Sequence, residues 1–373
     1  MKRKIVLSIT ALALIATMLL ALTSCGAILG GFGASTNDIT RKLKYELNDT
    51  GNGYIVVGSE DYAPKVVIPD TYEGKPVVGI DSGAFSRSTD VHRVVIGDNV
   101  TTIGDWAFYE CNNLTSITIG ESVTEINGDG IDRIPFFGCV KLVEVINKSA
   151  LDITAGEKDY GYVGYYAKEV HNEESKVIEK DGFLFYTFDE TNYLLGYLGS
   201  EAIEALPVNY NGQNYEIYDY ALQRCITAEK ITIPSSVTAI GDYSFANSNI
   251  LSELIIPGSV TRIGSYAFTC SFDLTKVEIS DGVTCIDYAA FRDCILLAEV
   301  TIGSSVNEIG YGTFIGCNRL NSVTFEAPEG WWWYALGSGD TGGVSIPEEA
   351  FSDSATAATS LTSTYCYCYL KRA

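Results

Sequence analysis

Apolar and polar positions along this chain recur at an interval too long for a single helix or strand. Phe245, Phe268, Phe291 and Phe314 lie 23 residues apart, and Leu222 extends the series backwards at the same spacing. An earlier series contains Phe85 and Phe108, again 23 apart, then Phe137 after 29, the extra length coming from "NGDGID". A degenerate mark, Phe351, stands in "IPEEAF". Within one unit, "LSELII" at 251–256 alternates at Leu254 and Ile256 as a half-buried strand does. "PGS" turns the chain, Val260 and Ile263 form a second short apolar pair, and Gly264 ends it. "SYAFTC" is too short for a stable helix and predicts one helical or 3-10 turn burying Ala267 and Phe268. One unit cannot bury these positions alone. Stacked units set their strands about 4.8 Å apart in parallel sheet, around columns of Leu, Ile, Val and Phe.

The same residues carry a resemblance. "LTSITIGESVTEI", "ITIPSSVTAIGDYSF" and "VTIGSSVNEIGYGTF" resemble the unit of the BspA-like leucine-rich repeats of bacterial surface proteins, over roughly residues 41 to 326. The tail "AATSLTSTYCYCYLKRA" also looks like the closing segment of such chains. The resemblance implies a repeat solenoid: a right-handed leucine-rich-repeat coil with a parallel β-sheet on its concave face and short strands or single helical turns opposite. It also implies a non-enzymatic role in binding or adhesion to host or neighbouring-cell macromolecules.

The repeat lapses between 149 and 204 and restarts at "LPVNYNGQNYEI", which divides the chain into two modules. The expected organisation is an N-terminal cap and first module over 41–148, a non-repeat insert over 149–204, a second module over 205–326 and a C-terminal cap over 327–373. "NDTGNG" between two strand-like runs reads as the turn of a capping hairpin. "FLFYTFDETNYLLGYLG" in the insert reads as a second hairpin turning at 189–192.

Charge removes several classes of partner. A formal net charge of −22 argues against nucleic acid and against electrostatic docking on anionic lipid. The membrane enters only at the N-terminus, where "MKRK" precedes the apolar run "IVLSITALALIATMLLAL". "LTSC" resembles the bacterial lipobox, so residues 1–24 are expected to be a lipoprotein signal peptide, Cys25 the lipidated residue and 25–40 a flexible tether. That places the protein outside the cell, anchored by lipid.

Nine cysteines remain after Cys25. They follow the repeat: Cys111, Cys225, Cys294 and Cys317 lie three after a mark, and Cys139 and Cys270 two after. Such a column reads as buried thiols filling small apolar spaces. A metal site is the sharper alternative, but no CxxC pair occurs and only His92 and His171 are available. No HExxH, GxSxG, P-loop or dinucleotide motif is present, so neither an enzyme nor a cofactor is expected.

Two outward columns follow from the strand pattern. Lys230, Glu253, Lys276, Glu299 and Ser322 occupy the third position of successive second-module units, where opposite charges become cross-strand neighbours. The fifth position reads Thr232, Ile255, Glu278, Thr301 and Thr324. Trp106, Tyr220, Tyr243 and Tyr266 form a column two before the mark, consistent with packing on the outer flank. Tyr162, Tyr165 and Tyr166 in the insert, with Trp331, Trp332, Trp333 and Tyr334 near the end, stand outside the repeat. Three consecutive tryptophans cannot all face inward from one strand, so they read either as a cap or as an anchor for a protein or glycan. The chain is expected to act as a monomer, with an extracellular protein as its partner. A glycan held by Trp331–Trp333 is the second reading, and a structural envelope role the third.

Overall fold

The structure, a computed structural model, describes residues 42–372 except 62, 129–131, 200, 201, 204, 225–228 and 336–342. Cys25, the leader 1–24, the tether 25–40 and Cys225 lie outside the described residues. The regular repeat units, such as that at 253–263, supply a four-residue strand to one parallel ladder and a two-residue strand to another. In the second module the longer strands are Glu253–Ile256, Lys276–Ile279, Glu299–Ile302 and Ser322–Phe325, in that spatial order. Glu253 pairs with Lys276, and Lys276 with Glu299, so each strand contacts the one 23 residues on. Arg262–Ile263, Cys285–Ile286 and Glu308–Ile309 stack the same way on the second sheet. The chain is a β-solenoid.

The segment around each marker phenylalanine forms a third ladder, built from turns. Tyr266, Phe268 and Cys270 donate their backbone N–H to Tyr288, Ala290 and Arg292 of the next coil, at 2.8–2.9 Å. Ala267, Thr269 and Ser271 between them donate back to Gly264, Tyr266 and Phe268 of their own coil. This alternation requires every other peptide plane to turn along the stack. Tyr243, Tyr266 and Ala289 accordingly take φ of 54°, 55° and 53°, and Asn247, Cys270 and Asp293 take 62°, 57° and 59°. A left-handed residue costs about 1–2 kcal/mol, which the inter-coil hydrogen bond offsets.

Phenylalanine rings stack inside these turns. Phe245, Phe268, Phe291 and Phe314 stand 5.0, 5.2 and 5.7 Å apart with nearly parallel planes. In the first module the column is Phe85, Phe108 and Phe136, at 5.2 Å each. Phe137, expected as the mark, is instead 42% exposed and stacks outside on Tyr109. The cause is backbone register: Phe108 donates to the Pro135 carbonyl as Phe85 donates to that of Ala107, which puts Phe136 inside. Cys139 then falls three after its mark, not two. Phe351 does not extend the second column; it lies in the short helix Glu349–Ser352 and stacks on Phe325 at 4.4 Å.

The buried thiols have polar partners. Cys111, Cys139, Cys294 and Cys317 donate from Sγ to the carbonyls of Phe85, Phe108, Phe268 and Phe291 one coil back, at 3.0–3.2 Å. Burial pushes the Cys111 thiol up to about 12, well away from reactive thiolate. Part of the acidic excess is structural as well. Asp70, Asp98, Asp219, Asp242 and Asp281 each accept, through Oδ1, a backbone N–H of the next coil at 2.6–3.2 Å.

The insert is less separate than the lapse in the repeat suggests. Ile153, Val163 and Ala167 belong to the first core, and strand Glu169–His171 pairs in parallel with Glu144–Asn147. Small apolar residues fill that coil where a phenylalanine is lacking. The hairpin Phe183–Phe188 and Thr191–Tyr197 turns at Asp189 and Glu190, both at positive φ. Its Phe183, Phe185 and Leu194 enter the second core, while Leu184, Tyr186 and Leu195 pack with Val143 and Val177. A strand buried on both faces reads as a continuous apolar run, as "FLFY" does.

Candidate binding face

The outward face of the longer-strand sheet differs between the modules, although the sequence beneath it is alike. "LVEVI" at 142–146 and "LSELI" at 251–255 both place a glutamate third and an isoleucine fifth. On the first module these are Glu144, 0% exposed, and Ile146, 4% exposed. On the second they are Glu253, whose side chain is 52% exposed, and Ile255 at 58%.

A strap of the insert makes the difference. The Ser175 hydroxyl and the Lys176 N–H, the latter at 2.9 Å, both donate to the Glu144 carboxylate. Ser116 donates to it from beneath at 2.6 Å. His171 accepts the Glu173 N–H on Nδ1 at 3.2 Å, leaving Nε2 to donate to Glu144 at 3.4 Å. Arg93 holds the strap from the other side, reaching the Val177 carbonyl at 2.8 Å and Ser175 Oγ at 2.9 Å. Lys176 Nζ pairs with Glu169 at 2.9 Å, and the Tyr186 hydroxyl donates to the same carboxylate. A carboxylate without water is tolerable only when it is satisfied this fully.

Nothing among the described residues covers the second-module face. Its charged column forms the cross-strand ladder: Lys230 to Glu253 at 2.5 Å and Lys276 to Glu299 at 3.9 Å. The Lys230 hydrogen bond holds the Glu253 carboxyl below its ordinary value. Exposed pairs of this kind contribute about 0–1 kcal/mol each, so they fix register weakly and exchange partners readily.

The aromatic candidates separate by burial. Trp331 is 1% exposed, with its ring edge-on to Phe325 and Phe351 and Nε1 donating to the Ala327 carbonyl at 3.1 Å. It is therefore part of the cap, not a partner contact: strand Trp331–Ala335 lies antiparallel to Cys368–Arg372 and turns alternate side chains inward. Trp333 packs against the second core as well. Trp332, 38% exposed, faces outward opposite Lys371, and Tyr334 lies 6.3 Å from Tyr369. In the insert, Tyr165 sits 5.3 Å from Tyr162 and 4.8 Å from Tyr166, with Lys158 over the first two rings. The Tyr166 hydroxyl accepts the Gly138 N–H at 3.2 Å.

The tyrosine column runs further than its spacing in sequence indicated. Tyr220, Tyr243 and Tyr266 are followed by Tyr288, Tyr311 and Tyr367, with neighbouring centroids 4.6–5.7 Å apart. Tyr288 and Tyr311 stand three before their marks and Tyr367 comes from the tail, so a rule of two before the mark misses all of them. Tyr220, Tyr243 and Tyr266 stack face to face, as do Tyr288 and Tyr311, while Tyr266 meets Tyr288 edge-on. Trp106 stands apart in the first module, with the Arg133 guanidinium over its ring and its Nε1 donating to the Asp132 carbonyl. Among the described residues no group of three His, Cys, Asp or Glu side chains could hold a metal ion.

The pattern of the BspA type leucine-rich repeat region matches this chain in six copies, over residues 65–154 and 215–329. Among solved structures, a leucine-rich cell surface protein from Faecalibacterium prausnitzii A2-165 is similar at 19% identity, over 80% of this chain and 95% of that one, with a TM-score of 0.39. A leucine-rich repeat protein from Eubacterium ventriosum ATCC 27560 is similar at 18% identity, over 76% and 82% of the two chains, with a TM-score of 0.38. The T. pallidum leucine-rich repeat protein follows at 20% identity, over 74% and 87%, with a TM-score of 0.27. No curated protein sequence matches. The repeat pattern covers more than half of the residues, and the chain belongs to the BspA-type leucine-rich repeat family.

Proposed function

We propose that this protein is a non-enzymatic binding module of the bacterial cell surface, held to the membrane by a lipid on Cys25 and recognising an extracellular protein. The observation that carries the reading is the open sheet face of the second module, with Lys230, Glu253, Lys276 and Glu299 beside an exposed Ile255. A stacked sheet is rigid, so little ordering entropy opposes association across it. Trp332 and Tyr165 add exposed aromatic area, with Tyr334 half-buried beside Trp332, and large rings contribute most of an interface's energy. A repeat stack presents a long, continuous surface, which suits recognition of a macromolecule.

One observation favours a glycan as the second reading: Trp332 and Tyr334 share a face of their strand, the minimum needed for a sugar ring to lie on aromatic surface. Capture by the full chain of a defined extracellular protein, confirmed with purified components, tests the first reading. Affinity should fall in the Glu253→Lys, Lys276→Glu double variant, with the melting temperature unchanged. Binding to a glycan array that disappears in Trp332→Ala, without any protein partner, would replace the first reading by the second.

A further inference from the structure

The two modules carry the same glutamate–isoleucine pair at the same place in the unit, and among the described residues only one pair is covered. We propose that Glu253 forms a second, open copy of the Glu144 site, and that it takes an extended segment of a partner protein with a serine or threonine followed by an acidic residue. This rests on the reading of the protein as a protein-binding module and names the chemistry of its partner.

The strap shows how the site is filled. Glu144 receives two donors from consecutive residues: the Ser175 hydroxyl and the next backbone N–H, that of Lys176. Val177 follows, 5% exposed, in a small apolar cluster with Val143 and Tyr186. A carboxylate reading a hydroxyl and an adjacent amide recognises chain conformation and one small polar side chain. Glu253 has the same carboxylate in the same register. Its present partner, Lys230 Nζ, belongs to an exposed pair that a ligand's hydroxyl and amide can displace at small cost.

The second residue of the motif follows from the neighbouring strand. One strand beyond Glu144 in register stands Glu169, which pairs with Lys176 of the strap. One strand beyond Glu253 stands Lys276. The sign at that position is reversed, so the open site favours an acidic side chain where the strap has lysine. Lys230 lies one strand before Glu253, in the place that Ser116 holds beside Glu144, and is the nearest cation on that side.

The test uses two fluorescein-labelled synthetic peptides, titrated into the full chain by anisotropy: the strap sequence His171–Lys180, and the same peptide carrying Lys176→Glu. The altered peptide should bind saturably and roughly tenfold more tightly than the unaltered one, because a like-charge contact is exchanged for an opposite one. The preference should invert in the Lys276→Glu protein, and binding should be lost in Glu253→Ala. Each variant is first shown to keep the thermal transition of the original. No saturable binding by either peptide, no preference between them, or affinity unchanged in Glu253→Ala overturns the proposal. If a confirmed protein partner binds Glu253→Ala normally but fails to bind Trp332→Ala, the surface-binding reading stands and this site does not.

Discussion

Removing the ring of Phe268 probes the stacking directly. Phe268 is fully buried and lies between two parallel rings, Phe245 at 5.0 Å and Phe291 at 5.2 Å. Phe268→Ala therefore loses apolar burial, opens a cavity and ends two ring contacts. Phenylalanine-to-alanine changes in cores cost about 3–5 kcal/mol, and each aromatic pair adds about 0.5–1.5 kcal/mol beyond area. The expected cost lies at the upper part of that range. Phe314 has one ring neighbour in the column, Phe291 at 5.7 Å, and its alanine variant should cost less. In a one-dimensional stack the loss should also stay local. Hydrogen exchange read coil by coil should show the largest loosening over 240–295, fading toward 326 and toward the first module. A double-mutant cycle of Phe245→Ala with Phe268→Ala should return a coupling of about 0.5–1.5 kcal/mol. Uniform loosening from residue 42 to 326, or a cost below about 1 kcal/mol, would refute the reasoning, because no buried and doubly stacked ring could behave so.

Adjacent residues test the register of the first module: Phe136→Ala should cost about 3–5 kcal/mol by denaturant titration, and exposed Phe137→Ala no more than about 1. His92 carries the clearest acid signature. Burial first, and Lys141 second, lower its pKa from 6.5 to about 3, and its ring Nδ1 is buried without a partner. The unfolded chain takes up that proton before the folded one, so stability should fall as pH drops from about 6.5 toward about 3. His92→Gln should flatten that part of the profile in thermal melts at stepped pH, and a decline of unaltered slope would contradict the assignment. Cys25→Ser should abolish incorporation of labelled fatty acid; equal labelling of the two proteins would remove the anchor from the account.

Self-similarity made the coil readable. A unit that must stack on copies of itself repeats its apolar positions, so the strand, turn and phenylalanine columns were visible in the spacing. Where two residues of one kind stand together, spacing loses its power: "PFF" left the choice between Phe136 and Phe137 to backbone register. The burial of Glu144 was invisible for another reason. "LVEVI" and "LSELI" are locally equivalent, and only the strap around Ser175, contributed from 31 residues away, makes one glutamate internal. The tyrosine column runs past Tyr266 because an edge-on contact, Tyr266 to Tyr288, absorbs a one-residue offset that a fixed-interval count does not. The aspartates that accept N–H groups of the next coil looked like surface charge, since a capping carboxylate and a solvated one have the same sequence. Alternation in "WWWY" did show that the tryptophans could not share one side; which of them faced the core required the pairing with Cys368–Arg372.

We propose that a protein partner lies on the open face of the second module. Hydroxyl-radical footprinting of the full chain with a confirmed, saturating protein partner tests it most directly, because Ile255 is 58% exposed and Ile146, its counterpart, 4%. Oxidation of Ile255 should fall several-fold on binding, while the already low oxidation of Ile146 stays unchanged. Equal oxidation of Ile255 in the free and saturated protein would contradict it.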